Sequence, residues 1–396
     1  MWDEVGGFLA PQHKFEIPSH IEWGLGVSRS LGVLVKAIGG KAVLLLTDRS
    51  VGQLPATRMI IDALKEQELV VEVFEGVVGE PTNAMVEAAV QFVRAHSKDA
   101  VVIGMGGGSI LDQSKIAAAM VGNEGSFEVY CGANKLHARG LPLVLVPTTA
   151  GTGSETSKNA IFVDSNGTKK VISSPMLLAE LVVVDPLLTV SLPANVTAFT
   201  GMDALSQAIE GILSLRCNPV VEGIALQAIR LVHENLVPAF CNGNDLVARE
   251  NMCVAAMLGG MCLNAGVVLG HSIAYTLGHF DLPHGLGCAT ALPHIMRFNM
   301  PCTLEKMGKI ALALGAEQST GEALDLPRYA LQAVVDLAND LGMPVALSAI
   351  GVSKDDLPTL AEECYQKYPR PSNPRQYSKD ELFHLYERLW SGELGL

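Results

Sequence analysis

The sequence is short of charge, and of positive charge in particular. Only 17% of its 396 residues are charged, and 28 lysines and arginines stand against 41 aspartates and glutamates, giving a formal net charge of -13. Binding to a nucleic-acid backbone requires clustered Lys and Arg that release counterions, and the chain has no basic run. Nucleic acid is therefore excluded as the main partner.

Paired cysteines and a targeting signal are also lacking. The eight cysteines never form a CxxC pair and lie mostly in apolar surroundings, which is typical of buried thiols in a reducing compartment and not of a disulfide framework or a zinc knuckle. The N-terminus has neither the basic start nor the apolar segment of a secretory signal. We therefore expect a cytoplasmic protein.

Long hydrophobic runs are represented by a single segment, residues 252–270, whose one polar side chain is Asn264. Its length is close to what spans a bilayer. Its many small residues and its lack of flanking aromatic and basic anchors favour a tightly packed core helix instead, so we expect no membrane partner.

The pattern of apolar residues changes near residue 185. Before it, short apolar runs alternate with amphipathic segments, and five of the runs are predicted to be buried strands: KAVLLLTD, VVEVFEG, DAVVIGMGG, LPLVLVPTT and ELVVVDP. After it, helical periodicity prevails. We predict an α/β plus all-α fold, with a doubly wound parallel-sheet dinucleotide-binding domain over residues 1–185 and an all-helical metal and substrate domain over 186–396.

The first chemical motif is a glycine-rich turn between a buried strand and a helix. It consists of Gly106, Gly107, Gly108 and Ser109. Glycines there allow a ligand to approach the backbone closely, and the free N–H groups at a helix start can hold a pyrophosphate. The motif is neither GxGxxG nor a Walker loop, and a plain strand-to-helix turn is the alternative interpretation.

A second motif places hydroxyl groups and glycines after the strand that ends at Pro147. Its candidate cofactor-binding residues are Thr148, Thr149, Thr152 and Ser154. Such a rim can hydrogen-bond phosphate and ribose. Asp48, which ends an earlier strand, is placed to accept hydrogen bonds from the adenosine ribose and to repel a 2′-phosphate, which favours NAD(H) over NADP(H); helix capping is the competing role. We also count Lys169 among the cofactor-binding residues.

The helical half holds a third constellation. Asp203 and Gln207 are four residues apart and share one face of a predicted helix, while His271 and His284 come from two other segments. Three strong donors and one amide oxygen can surround a divalent metal and leave positions open for substrate. A lone histidine is more often a satisfied core residue, but four of the ten histidines lie between positions 271 and 294.

Together these motifs resemble the iron-containing, or group III, alcohol dehydrogenase family. The similar segments occur in the family's order over nearly the whole chain and include GMGGGSILDQSK, PTTAGTGSE, VVDPLLTVSLP, FTGMDALSQAIEG, LPHGLG and LPHIMRFN. The resemblance implies a dinucleotide-binding α/β domain, a helical domain, and metal-dependent, NAD(P)-linked interconversion of alcohols and aldehydes or ketones.

The resemblance also implies a ligand set, from which this chain departs. The family's metal ligands are an Asp, a His four residues later and two further histidines, and they fall here on Asp203, Gln207, His271 and His284. Gln207 replaces a histidine. Tyr275 stands where family members often have a histidine that passes protons outward, so we take Tyr275 and His279 as candidates for catalytic proton exchange.

We therefore predict an NAD(H)-linked alcohol dehydrogenase or aldehyde reductase that transfers a hydride with the oxygen of a small substrate on Fe2+ or Zn2+. The amide of Gln207 is a poorer donor than imidazole and shifts the preference toward harder ions. Apolar residues such as Phe162, Leu263 and Tyr275 suggest a small pocket, and Arg297 is an anion-anchor candidate. A homodimer or higher homo-oligomer is the default assembly.

Four alternatives stay open. A metal-independent reductase resembling maleylacetate reductase would explain the glutamine as relaxation of the site. A reductase of a small anionic aldehyde, such as phosphono- or sulfoacetaldehyde, would differ only in substrate. A dehydroquinate-synthase-like lyase would need more basic residues than the helical half supplies, and a non-catalytic nucleotide-binding protein would bind NAD without turnover.

Overall fold

The five predicted apolar runs all form strands of one parallel sheet in the computed structural model, which describes residues 13–77, 79–317 and 324–395. The strands of the chain are β1 (Ile21–Trp23), β2 (Ala42–Asp48), β3 (Val70–Val77), β4 (Ala100–Gly106), β5 (Gly132–Ala133), β6 (Leu143–Pro147), β7 (Asn159–Val163), β8 (Lys169–Ser173) and β9 (Leu181–Val184). The main sheet has the order β1-β9-β6-β4-β2-β3, and each of its pairings is parallel.

Alternating side chains of the central strands explain why helices cover both faces of this sheet. Val43 and Leu45 belong to one buried cluster with Leu31, whereas Leu44 and Leu46 belong to the cluster on the other face. A strand that is apolar on both sides must be covered on both sides. The helices of this half are α1 (Leu31–Ala37), α2 (Arg49–Gly52), α3 (Pro55–Glu66), α4 (Asn83–Ala95) and α5 (Gly108–Ala119).

The second half of the chain is helical, as predicted. Its α-helices are α6 (Ala194–Leu213), α7 (Pro219–Cys241), α8 (Leu246–Cys262), α9 (Leu269–Thr276), α10 (His284–Asn299), α11 (Leu304–Ala313), α12 (Asp325–Asp340), α13 (Leu357–Lys367) and α14 (Lys379–Ser391). Helix α6 lies at the centre and is buried at every position from Gly201 to Leu213. The predicted fold class, a doubly wound parallel sheet followed by a helical half, is confirmed.

Two features were not predicted from the sequence pattern. Strand β1 extends the main sheet beside β9, and β5, β8 and β7 form a second, three-stranded sheet. The β7–β8 hairpin turns at Asp164, whose Oδ1 accepts hydrogen bonds from the backbone N–H of Asn166 and of Thr168 at 2.9 Å each. The two strands of this hairpin are only five residues long and partly buried, so the alternation of apolar and polar residues along them is too short to predict a strand.

The apolar segment singled out in the sequence is part of a core helix. Among the described residues, Leu246–Ala265 is the one stretch long and apolar enough to cross a membrane by length and composition, and 61% of its window is buried inside the protein. Helix α8 packs against α6 and α7.

The loop after β6 is pressed against α8 at a pair of glycines. Gly153 has a φ of 55°, in the left-handed region, and a Cβ built on it would lie 2.5 Å from the backbone N of Gly260 and 2.4 Å from the carbonyl O of Ala256. Backbone therefore meets backbone where the two halves join, and only glycine fits there.

We expect Gly153→Ala to lower the free energy of unfolding by roughly 2–4 kcal/mol, because it adds strain at positive φ to a steric clash with α8. Gly223→Ala is the matched control, since nothing lies within 4 Å of a Cβ added at this helical glycine. Its free energy of unfolding should rise by about 0.5–1 kcal/mol. Urea unfolding of the purified proteins measures both, and equal midpoints for the two variants would contradict the close contact.

Candidate active site

The two loops assigned to the cofactor lie side by side at the carboxyl edge of the main sheet. Gly106 and Pro147 are paired at the ends of β4 and β6, and the backbone N–H of Thr148 donates to the carbonyl O of Gly106 at 3.0 Å. The chain runs from β2 outward to β3 and returns to β4 on the other side of β2. Ligands of open α/β sheets bind at such a reversal of strand order.

The glycine turn is pressed against the hydroxyl-rich loop. A Cβ at Gly108 would lie 2.7 Å from the side chain of Thr152, and one at Gly107 would lie 3.6 Å from the side chain of Thr149. Gly107 is the N-cap of α5, and the start of this helix can receive an anion on its free N–H groups. Gly108 and Ser109 line the same cavity as the helical residues described below.

Ser154 lies in a buried polar network. The fully buried Lys115 donates through Nζ to the Oγ of Ser154 and to the carbonyl O of Asn159, both at 2.7 Å, and Ser154 Oγ donates to Asp112 Oδ1. Asp112 Oδ2 accepts from the backbone N–H of Ile161 at 2.9 Å. This network ties α5 to β7 and supports the floor of the cavity.

Asp48 caps α2, which is the competing role considered for it. Its Oδ1 atom accepts hydrogen bonds from the backbone N–H of Ser50 at 2.7 Å and of Val51 at 2.9 Å. Both bonds end on Oδ1, so capping and a ribose contact through Oδ2 are geometrically compatible.

The four predicted metal-binding residues meet in the same cavity, which has a volume of about 520 Å³. One donor atom each of Asp203 on α6, His271 on α9, and His284 and Cys288 on α10 lie within 4.8 Å of one another. Buried polar atoms nearly always have a hydrogen-bond partner. Among the described residues four here do not, and they are Asp203 Oδ1, Gln207 Oε1, His271 Nε2 and His284 Nδ1. This donor set fits a divalent cation.

Two further residues hold these donors in position. The fully buried Glu210 is 2.6 Å through Oε1 from the Nδ1 of His271, and its Oε2 accepts from the backbone N–H of Val268 at 2.8 Å. A carboxylate behind a ligating histidine is the usual means of fixing the ring. The Nε2 of Gln207 donates to the carbonyl O of Thr152 at 3.0 Å, so its Oε1 is the atom left for a metal.

The pKa values of His271 and His284 are shifted in opposite directions. Burial lowers the pKa of His271, but the carboxylates of Glu210 and Asp203 outweigh it and raise that pKa to about 9. Burial and the charge of Lys169 lower the pKa of His284 to about 3. Burial would raise the pKa of Asp203, yet the interaction with His271, whose Nε2 is 3.6 Å from Oδ1, and the nearby His284 bring it below the ordinary value. A divalent cation would take the place of the proton on His271.

The two candidates for proton exchange lie in different places. Tyr275 lines the cavity, and its ring is stacked on that of His284 with the centroids 5.6 Å apart. Burial raises the pKa of Tyr275 to about 12, so its hydroxyl stays protonated and is a hydrogen-bond donor rather than a base. His279 does not line this cavity, and its Nε2 is 2.7 Å from Glu363 Oε2 with 42% of the side chain exposed.

Two cations stand over the ring of Tyr275. Lys169 Nζ is 5.4 Å from the ring centroid and is paired with Glu80, and the guanidinium carbon of Arg370 is 5.5 Å from the same centroid. Arg370 was missed from the sequence, although its Pro-Arg-Pro setting marks a rigid loop. Arg297, the anion-anchor candidate, instead lines a separate groove with Arg328.

The remaining pocket residues suggested by the sequence, Phe162 and Leu263, both line the cavity. Cys288 was also missed, although it follows His284 by four residues on one helix, the same spacing that singled out Asp203 and Gln207.

Comparison with known proteins gives consistent matches along the chain. Residues 18–186 match the model described as iron-containing alcohol dehydrogenase, and residues 197–390 match the C-terminal model of the Fe-containing alcohol dehydrogenase family. The long-chain-alcohol dehydrogenase 1 of Geobacillus thermodenitrificans (strain NG80-2) is 35% identical over 95% of this chain and 96% of its own length.

Two further similarities bear on the fold and the site. The sulfoacetaldehyde reductase of Bilophila wadsworthia (strain 3_1_6) is 33% identical over 92% of this chain and 95% of its own. A crystal structure of a 1,3-propanediol oxidoreductase superposes with a TM-score of 0.93 at 33% identity and covers 96% of this chain and 100% of that chain.

We expect Asp203→Ala to lose most of its divalent metal, because it removes the one carboxylate among the orphaned donors. Gln207→His should bind zinc or iron at least about tenfold more tightly, since imidazole is the better donor for both ions. Metal analysis after dialysis against a competing chelator measures the two effects. Glu363→Gln, at the acid paired with His279 outside the cavity, is the control and should keep its metal. A wild-type protein that is metal-free and fully active would refute the site.

Proposed function

Because this chain belongs to the iron-containing alcohol dehydrogenase family and is therefore an NAD-linked, metal-dependent oxidoreductase acting on CH–OH groups, we propose that its cavity carries out the reaction with the residues identified above. The observation that carries the proposal is the group of buried donor atoms without hydrogen-bond partners in the cavity that also contains the start of α5. A nucleotide and a metal placed there would meet.

In the proposed arrangement Asp203, His271 and His284, with the amide oxygen of Gln207, hold a divalent Fe2+ or Zn2+. Such an ion supplies Lewis acidity toward the oxygen of an alcohol or carbonyl group. The persistence of the buried Asp203 and of the Glu210–His271 pair favours this arrangement over a metal-independent reductase, since buried charges need partners.

The cofactor's pyrophosphate would lie on the backbone of Gly106 to Ser109, and its nicotinamide half against Thr148, Thr149 and Thr152. Asp48 would accept hydrogen bonds from the adenosine ribose. Lys169 would contact the cofactor from the wall of the cavity. Ser154 supports this loop through Lys115 and Asp112. The residues thus orient the nicotinamide toward the metal-binding side of the cavity.

The reaction balances with one hydride and one proton. In the oxidative direction the alcohol's C–H bond gives its hydride to NAD+, its O–H bond gives a proton to water, and the products are the aldehyde and NADH. Tyr275 does not accept the proton, because burial raises its pKa to about 12. The proton would therefore pass to water, and the His279–Glu363 pair outside the cavity is the proposed acceptor.

A specific observation favours a substrate with an anionic end. Of the long cationic side chains on the cavity wall, Lys158 and Lys169 are paired with Glu16 and Glu80. Arg370 and the exposed Arg216 also line this cavity, and neither forms an ion pair among the described residues. Arg370 differs from Arg216 in having a buried Nε atom without a hydrogen-bond partner. A buried donor of this kind calls for an acceptor.

Arg370 and the proposed metal ligand His284 both contact the ring of Tyr275. The guanidinium carbon is 5.5 Å from the centroid of the Tyr275 ring, which is itself 5.6 Å from that of His284. Because Arg370 and the proposed ligands line one cavity, we propose that a small molecule with both a carbonyl group and a carboxylate, sulfonate or phosphonate group binds between them. One relative is named a sulfoacetaldehyde reductase, which fits this chemistry. We propose small anionic aldehydes as the preferred substrates.

We further propose that the protein is a homodimer or higher homo-oligomer of the cytoplasm. Closed homo-oligomers are the commonest assemblies of soluble enzymes, and eight free cysteines suit a reducing compartment. Light scattering during size exclusion measures the assembly directly.

Arg370→Gln should lower kcat/KM for sulfoacetaldehyde and phosphonoacetaldehyde roughly 10- to 100-fold, as expected when a hydrogen bond to a charged group worth about 1.5–3 kcal/mol is lost. With propanal the same variant should stay within about threefold of wild type, because no charged contact is lost. NADH oxidation measures both.

Arg297→Gln, in the separate groove, is the control for the loss of one surface charge and should change neither substrate's rate. If Arg370→Gln reduces the anionic and the neutral aldehydes equally, the anionic-substrate proposal is wrong while the dehydrogenase assignment stands. If wild type fails to oxidise NADH with every aldehyde tested and with every divalent metal added, the proposed function itself is refuted.

A further inference from the structure

A cysteine lies among the proposed metal ligands. Cys288 is fully buried on α10, one helical turn after His284, and its Sγ is 3.5 Å from the Nε2 of that histidine. Its sulfur also lies within 4.8 Å of a donor atom of Asp203 and of His271. The four groups come from three helices, and His271 is also held by Glu210.

The surrounding atoms point to a cation independently of the cysteine. Asp203 Oδ1, His271 Nε2 and Gln207 Oε1 are buried and have no hydrogen-bond partner among the described residues, and each of the three side chains is at most 5% exposed as a residue. These atoms would be costly to leave unsatisfied. A thiol placed among them is therefore in a position to complete a coordination sphere rather than merely to fill a core.

The donor set of this chain has one imidazole fewer and one thiol more than the motif pattern implies. Gln207 supplies a neutral amide oxygen, which is a weak donor for zinc and iron. Cys288 supplies a soft sulfur donor at the i, i+4 spacing that lets two residues of one helix bind the same ion. A thiolate at Cys288 would compensate for the weak amide donor.

We propose that Cys288 is a ligand of the same divalent metal and binds it as a thiolate together with Asp203, His271 and His284. The proposal rests on the metal site of the proposed function. On binding, the S–H bond breaks, the sulfur lone pair forms the bond to the metal, and the proton goes to water. No atom changes oxidation state.

Thiolate ligation changes which metal the site prefers. Sulfur ligands favour zinc and related softer ions over magnesium or manganese, whereas the amide of Gln207 alone would shift the preference the other way. Two anionic ligands, Asp203 and Cys288, also balance the charge of a dication. The site should therefore prefer Zn2+ and retain it in the presence of excess Mg2+.

The test uses the full-length protein with Co2+ as the probe, because a cobalt–thiolate bond gives a charge-transfer absorption in the near ultraviolet that oxygen and nitrogen ligands do not give. Wild type should bind one Co2+ per chain and show this band. Cys288→Ser should still bind Co2+ but lose the band, and its zinc affinity should fall at least about tenfold. Cys364→Ser, at another buried thiol outside the cluster, is the matched control and should keep the band.

A second measurement needs no variant, in case Cys288→Ser does not fold. X-ray absorption of zinc-loaded wild type should show one sulfur neighbour at about 2.3 Å beside nitrogen and oxygen neighbours at about 2.0–2.2 Å. Wild type that binds Co2+ or Zn2+ with no sulfur signature overturns the role of Cys288 and leaves the metal site intact. Wild type that binds neither ion overturns the metal site as well, and a band that persists in Cys288→Ser overturns the inference alone.

Discussion

The buried carboxylate of Glu210 is the constraint on which the rest of the active site depends. It is fully buried on α6, where an unpaired charge would be very costly. Its two oxygens are used by His271 Nδ1 and by the backbone N–H groups of Val268 and His271 at the start of α9, which places a negative charge at that helix's N-terminus. Gly270 allows this approach, because a Cβ there would lie 2.4 Å from Glu210 Oε1. One carboxylate thus docks α9 onto α6 and turns His271 Nε2 toward Asp203.

The hydrogen bond from Gln207 to Thr152 links helix α6 to the loop proposed to bind the cofactor. It joins the metal-binding helix to the loop after β6, next to the point where Gly153 meets the backbone of Gly260. A histidine at 207 could donate one ring N–H to this carbonyl and present its other nitrogen to a metal. Glutamine preserves this division, with its NH₂ group toward Thr152 and its oxygen toward the cavity. In the proposed metal site, the glutamine therefore supplies a weaker donor than a histidine at the same position would.

How far the sequence could predict this arrangement depended on the separation of the residues along the chain. Buried strands and the i, i+4 pair of Asp203 and Gln207 follow from local periodicity, and the glycine turn beside the threonine loop follows from adjacent parallel strands. The clustering of histidines between positions 271 and 294 made His271 and His284 candidates, and the family resemblance then joined them to Asp203, since no local rule joins three separate helices. The cation of Arg370 reaches the cavity from a loop 86 positions after His284, and no periodicity encodes such a contact. His279 is close to both histidines in sequence, yet the turn after α9 directs it to Glu363 at the surface.

Tyr275 contacts both the proposed metal ligand His284 and the unpaired cation of Arg370. Its ring is stacked on that of His284, with centroids 5.6 Å apart, and lies 5.4 Å from Lys169 Nζ and 5.5 Å from the guanidinium carbon of Arg370. A histidine at this position would titrate near neutral pH and, when protonated, would add a third positive charge to that wall. The tyrosine is neutral throughout the physiological range because burial raises its pKa to about 12. Its π-face stabilises the guanidinium through a cation–π contact without neutralising it. The positive charge of Arg370 consequently stays available, as the proposed anionic substrates require.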